Sequence, residues 1–315
     1  MRTRIGMVAP AMEPESLADI RRMLDECREA LAAQQRTIDS IPDLGRAVAG
    51  LAARIGELER YRSGAARIPA CEAWITAEPP SNMLVSVVMP TRDRSRLLAR
   101  AIASVQAQTH ANWELLVVDD ASSDDTAAVV GATNDPRVRL LTSDGTGDAR
   151  ARNVALDNAR GDAVAYLDDD NRMFPVWLAA VAWAFEHHPK HDALYGARVH
   201  ETISDSLPEL QFEIMEPADL RTRNPLDTNV LAHRRSAPEA RWDERLMFAS
   251  DWELTTRLAA DRPLLPLPVR AVLYSTSAPG RRSLIDRGDD YDEIRRRAAD
   301  LHDQSAGARP PISSG

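Results

Sequence analysis

Apolar positions follow two different rhythms along this chain. In the first part, Leu17, Leu24, Leu31 and Ile38 recur every seven residues, with Ile20 and Ile41 between them. After Pro42, the series Leu44, Val48, Leu51, Ile55 and Leu58 steps by four and three. This spacing predicts a helical, coiled-coil-like arm over 1–62, with Pro42 opening its second helix. Short amphipathic helices cannot bury their stripes alone, so the arm is expected either to self-associate into a homo-oligomer, the favoured reading, or to pack on the main domain. Over 63–83 the period fades and Pro, Ala and Gly gather, which predicts a linker.

From Leu84 the rhythm changes to apolar runs alternating with helical stripes. Strands are predicted at "LVSVVM", "WELLVV", "VRLL", "AVAYL", "ALYGARV", "NVLAH" and "AVLYS". Helices are predicted at "SRLLARAIASVQAQT", "SDDTAAVV", "DARARNVALDNA", "PVWLAAVAWAFEHH" and "DWELTTRLAA". The first of these carries Leu98, Ala101, Ile102 and Val105 on one face. Uninterrupted apolar strands alternating with helices imply an α/β domain, a mostly parallel sheet covered on both faces, over 84–278. The tail, 279–315, is charged and then rich in Ser, Gly and Pro, and is expected to fray.

In such sheets ligands bind at the carboxyl ends of the strands. Three acid-bearing turns fall there: Asp93, Asp119-Asp120, and Asp168 to Asp170. Asp168 and Asp170, at alternate positions, are expected to face one ion while Asp169 points elsewhere. Oxygen ligands suit Mg²⁺ or Mn²⁺ shared with a substrate phosphate.

Composition narrows the field. A net charge of −9 over 315 residues argues against a nucleic-acid binder. Two cysteines make no disulfide framework, and no apolar run approaches a membrane span. The expected location is therefore cytoplasmic, or peripheral at the inner face of a membrane. "LLVVDD" fits a phosphoryl-receiver domain, but the one lysine, Lys190, lies far from any strand end. "GTGDAR" imitates half a dinucleotide fingerprint, with Arg150 where the third glycine should be. No Walker A, HExxH or GxSxG motif is present. A nucleotidyltransferase would want a Gly- and Lys-rich loop where "PTRDRS" stands.

"VSVVMPTRDRSRLLARAIASVQAQTHANWELLVVDDASSDDT" and "GTGDARARNVALDNARGDAVAYLDDDNRMFPVWL" follow one another in the order seen in family 2 nucleotide-sugar glycosyltransferases. "NPLDTNVLAHRR" and "RWDERLMFASDWELTTRLA" complete the resemblance, which runs from Leu84 to Tyr274 and implies the GT-A fold. It also implies a donor that is a nucleotide sugar, with UDP favoured, an acceptor hydroxyl, and Mn²⁺ or Mg²⁺ as cofactor. By resemblance, Pro90, Thr91 and Arg92 form the loop under the nucleotide, and Asp120 accepts a hydrogen bond from the base. Arg152 and Asn153 border the phosphates. Asp168 and Asp169 lie on the sugar-nucleotide side, and Asp170, with Asp168, holds the metal.

Asp251 matches the family's catalytic base, and at a helix start its pKa is expected to be lowered by the local dipole. The implied reaction is an inverting single displacement. The other readings are a catalytically degenerate scaffold of the same fold, or the nucleotidyltransferase. Three positions depart from the family: Ser250 replaces Glu before the base, Arg92-Asp93 replaces an aromatic–Asn pair, and Asn171 follows the acid triplet.

Overall fold

Seven consecutive buried residues make Val85–Thr91 the strand β1, and its flanks explain the rest of the sheet. The computed structural model describes residues 64–201, 210–224, 226–238, 240–246, 249–260 and 262–275, together with Leu51. The chain divides into two compact units, Met1–Glu59 and Arg60–Gly315. The heptad arm apart from Leu51, and the tail, lie outside the described residues. The sheet and its helices belong to the second unit.

The elements in chain order are α1 (Ile68–Ala77), β1, α2 (Ser95–Gln106), β2 (Trp113–Asp119), α3 (Thr126–Gly131), β3 (Val138–Thr142), α4 (Asp148–Asn158), β4 (Ala163–Tyr166) and β5 (Arg172–Met173). Then come α5 (Trp177–His187), β6 (Ala193–His200), β7 (Leu210–Gln211), α6 (Pro217–Thr222), a 3₁₀ turn (Thr228–Val230), β8 (Leu231–Arg234), α7 (Ser250–Leu258) and β9 (Leu265–Tyr274). The strands form one sheet in the order β3-β2-β1-β4-β8-β6-β9-β5, with β7 on β6.

The predicted parallel pairing holds for β3-β2-β1-β4 and for β6 beside β9. β8 runs antiparallel between β4 and β6, so the sheet is mixed. That reversal matters for function. An antiparallel strand begins where its parallel neighbours end, so the turn before β8 is delivered to the acid-bearing rim. Pro90 is tolerated in the central strand because β4 pairs β1 only as far as Tyr166 opposite Val88.

Helices cover the sheet where their apolar stripes demand it. α2 buries Leu98, Ala101, Ile102 and Val105, the face read from the sequence. α4 lies across β1, β2 and β3, and α5 packs on β4 and β9. The stretch expected to be a linker instead contains α1, which packs on β9 and α5. Two interactions account for it. Glu72 accepts from the Arg270 backbone N–H at 2.8 Å and grips its guanidinium in a fork, and Ile68 and Ile75 are buried.

Gly161, immediately before β4, is a point where no side chain fits. A Cβ there would lie 2.6 Å from the Ser86 nitrogen and 2.7 Å from the Leu84 oxygen, both backbone atoms of the β1 entry. Gly161→Ala is expected to destabilise the protein by about 1–3 kcal/mol, the range for overpacking. Denaturant unfolding of the variant beside the parent checks it, and an unchanged midpoint would show that the β1–β4 entry is more yielding than its geometry.

Candidate active site

Asp168, Asp169 and Asp170 follow the end of β4, in a turn closed by the Asn171 N–H donating to the Asp168 carbonyl at 3.1 Å. The turn gives each of the three carboxylates its own set of partners. Asp168 meets Arg152 Nη2 at 2.9 Å and Asn229 Nδ2 at 2.9 Å, one on each oxygen. Its backbone N–H donates to Asn229 Oδ1 at 2.6 Å. Asp169 accepts from Thr91 Oγ1 at 2.7 Å and Arg94 Nη1 at 3.0 Å. The same Arg94 nitrogen reaches Asp170 Oδ2 at 3.1 Å. So Arg94 groups Asp169 with Asp170, and Asp168 has partners of its own. Burial pushes the Asp169 carboxyl up, although Arg94 and Thr91 favour its anion.

No sequence signal singles out Arg94 or Asn229. Asn229 is wholly buried in the turn before β8, and Asp227 accepts from its backbone and its side chain. The antiparallel course of β8 is what sets it against Asp168, and nothing local in "DTNV" announces that pairing.

Asp120 is buried, and its carboxylate is engaged by the loop after β3. Ser143 Oγ and the Gly145 N–H donate to Oδ1 at 2.6 and 3.1 Å, and the Gly147 N–H donates to Oδ2 at 3.0 Å. Gly145 and Gly147 take positive φ, 79° and 124°, to aim those amides inward, which is why glycines stand in "GTG". Arg92, half exposed, donates to the Gly145 carbonyl at 2.9 Å and lies 3.8 Å from Asp120. Asp120 thus organises the loop between β3 and α4. Asp93, with a φ of 53°, and Asp119 hold the adjoining turns through Ser123 and Ser122.

Arg152 and Asn153 lie on the buried face of α4. Arg152 bonds Asp148 as well as Asp168, and its guanidinium sits 4.5 Å over the Trp242 ring. Its Nε is buried and has no partner among the described residues. Asn153 exchanges hydrogen bonds with the Trp242 backbone at 2.9 and 3.0 Å and donates to Glu244 at 2.7 Å. It clamps the 242–244 segment and has little capacity left for a phosphate.

Trp242 Nε1 donates to the Tyr166 hydroxyl, which lies 2.7 Å from His233 Nε2. Burial pulls His233 down to about 4, so the neutral ring links β4 to β8.

Asp251 sits in the first turn of α7, after Ala249 in the left-handed region. Its Oδ1 accepts from Asn224 Nδ2 at 3.1 Å and from the Trp252 N–H at 2.8 Å. Its Oδ2 takes no hydrogen bond from a described residue, and Asp251 is partly exposed. The expected lowering of its pKa is not what the surroundings produce. Removal from water and the nearby Asp227 charge raise it to about 6, against the smaller pull of Trp252, Arg152 and Asn224. Arg152 feels both Asp168 and Asp251, which puts the acid turn and this carboxylate around one guanidinium.

Among the described residues, no group of three or more His, Cys, Asp or Glu forms a ready metal cage, and no helix is long and apolar enough to cross a membrane. A two-carboxylate site completed by substrate phosphates needs no such cage. Asp168 and Asp170 supply hard oxygens, and each already faces a guanidinium, so positive charge is held at both.

The model of the family "Glycosyl transferase family 2" matches residues 86–237. The UDP-Glc:alpha-D-GlcNAc-diphosphoundecaprenol beta-1,3-glucosyltransferase WfgD of Escherichia coli is 45% identical over 97 residues, 30% of this chain and 37% of WfgD. The succinoglycan biosynthesis protein ExoO of Rhizobium meliloti is 41% identical over 92 residues, 29% of this chain and 26% of ExoO. The chain thus spans well under half the length of these two relatives. S. aureus TarS 1–349, solved with UDP-GlcNAc, superposes with a TM-score of 0.60 over 71% of this chain and 69% of that one. At 20% identity that likeness concerns the fold. The family model spans the acid turns and the sheet shares its architecture with TarS: over residues 86–237 the chain resembles glycosyl transferase family 2, and it has a GT-A-type fold.

Proposed function

We propose that this chain is a metal-dependent, inverting glycosyltransferase that moves a sugar from a nucleoside-diphosphate donor to an acceptor hydroxyl. The observation that carries the reading is the pairing of the acid turn with a single carboxylate, Asp251, that has one oxygen tied and the other open. UDP is the favoured nucleotide, because WfgD is named for UDP-Glc and TarS was solved with UDP-GlcNAc. Polysaccharide biosynthesis is the favoured setting, from the names of WfgD and ExoO.

In this mechanism Asp168 and Asp170 would hold Mn²⁺ or Mg²⁺. When bound, the ion supplies positive charge to a diphosphate that must leave with an electron pair. Thr91 and Arg94 fix Asp169 and with it the turn. Pro90 to Arg92 and the loop organised by Asp120 form the floor for the nucleotide. Asp251 Oδ2 takes the proton of the acceptor hydroxyl as that oxygen attacks the anomeric carbon on the face opposite the diphosphate. One C–O bond forms as the other breaks, with no covalent sugar–protein intermediate. Asn153 acts at one remove, by holding the 242–244 segment in place.

Three outcomes are expected. Asp170→Ala should abolish the Mn²⁺-dependent part of UDP binding, read by calorimetry with and without a chelator. Asp251→Asn should keep that binding and lose transfer, screened over UDP-sugars, by about a hundred- to ten-thousand-fold; a variant that transfers at the parent rate removes Asp251 from the mechanism.

The third concerns pH. Asp251 in the folded chain titrates near 6, above its ordinary 3.8. A base works when ionised, so kcat/KM should climb as pH rises through about 6. The same shift has a stability sign. A carboxyl raised on folding stabilises below its unfolded value, and that benefit is lost as pH rises through the folded one. Asp251→Asn should therefore gain in Tm relative to the parent at about pH 8 and gain much less at about pH 4, by scanning calorimetry.

A further inference from the structure

Asn224 stands two residues past α6, at the head of the "NPLDTNVLAHRR" segment and in contact with the carboxylate just described, and the mechanism gives it no role. We propose that Asn224 is a positioning residue for the base: its amide fixes Asp251 Oδ1 so that Oδ2 is presented to the acceptor hydroxyl. The inference rests on the reading of Asp251 as the base.

Two independent features of the side chain point the same way. Its Nδ2 donates to Asp251 Oδ1 at 3.1 Å, the oxygen that also takes the Trp252 N–H at 2.8 Å. Two donors on one oxygen set the plane of the carboxylate and leave the other oxygen open. The second feature is the Asn224 Oδ1, which is buried and has no hydrogen-bond partner among the described residues. Buried amide oxygens are almost always satisfied, so one left unpaired beside a reactive carboxylate is suited to a hydroxyl that arrives with a ligand.

The fold explains how the contact is kept. α6 and α7 are joined side to side. The Leu220 carbonyl, in α6, accepts from Trp252 Nε1 at 2.5 Å and from Thr256 Oγ1 at 3.4 Å. Arg223 Nη2 is bonded to Glu213 at 2.7 Å just before the asparagine. The chain leaving α6 is therefore anchored at two points just before it reaches Asp251.

The charged groups that face Asp251 are Asp227, from the turn before β8, and Arg152, from α4. Asp227 opposes the anion and Arg152 favours it, while Asn224 and the Trp252 amide are the hydrogen-bond donors to it. Removing the Asn224 donor should thus make the carboxylate harder to ionise, and removing the Asp227 charge should do the reverse.

The test is a carboxyl-carbon NMR titration of the full chain labelled at aspartate, with Asp251→Asn used to assign the Asp251 signal. The parent midpoint is expected near 6. Asn224→Leu should move it up by about one pH unit, a tenfold change in proton affinity, and Asp227→Asn should move it down. Should leucine distort the loop, Asn224→Ala makes the same comparison. A midpoint that stays put in a folded Asn224 variant overturns the proposal. Failure of the base reading shows separately: there Asp251→Asn keeps its transfer activity, while the titration still reports whether Asn224 holds the carboxylate.

Discussion

The constraint on which this site depends is electrostatic crowding. Three consecutive carboxylates follow β4, and two like charges about 4 Å apart repel by about 4 kcal/mol at an effective dielectric near 20. The fold answers by giving each its own partners. Arg152 and Asn229 take Asp168, Thr91 and Arg94 take Asp169, and Arg94 extends to Asp170. These partners come from four separate places: the end of β1, the entry to α2, the buried face of α4 and the turn before β8. The acid turn is therefore a point where the domain is tied together, and a set of charges that cannot relax apart is well suited to holding a cation.

The reversed strand gives this arrangement its second half. Because β8 enters the sheet antiparallel to β4, the segment before it lands on the rim where β1, β2 and β4 finish. Asn229 reaches Asp168 by this route, and Asp227 comes near Asp251. α4 makes the complementary link. Arg152 joins the acid turn to the face of Trp242, and Asn153, one residue on, holds the backbone of the same tryptophan. A change at the 242–244 segment is thereby felt at Asp168 through one arginine, with no long chain of contacts required.

Much of the fold could be read because its signals are local. The stripe Leu98, Ala101, Ile102, Val105 and the apolar run of β1 are decided by neighbours in sequence, and the structure keeps both. The three acid turns could be placed at strand ends for the same reason. What could not be read depends on distant partners. α1 forms because Glu72 finds Arg270, a pairing across 198 positions. The division of the acid triplet turns on Arg94 and Asn229, which approach from opposite sides of the sheet order. The glycine amides on Asp120 belong here too, since "GTG" at positive φ points its N–H groups inward only once β2 and β3 are paired.

Asp251 shows which of two opposing effects prevails. A helix start favours a carboxylate by about 0.3–1 kcal/mol when exposed, and up to about 2 in favourable geometry. A rise from 3.8 to about 6 runs the other way, and about two pH units amount to about 3 kcal/mol. Desolvation therefore outweighs the dipole, with the Asp227 charge adding to it. For a base this outcome is useful. A carboxylate lowered by a helix start would be ionised at neutral pH but would hold a proton weakly. One raised to about 6 is still mostly ionised at neutral pH, and it binds a proton about a hundredfold more tightly than an ordinary aspartate. The surroundings that make the charge unfavourable are those that would give a base at this position the strength to take a proton from a hydroxyl.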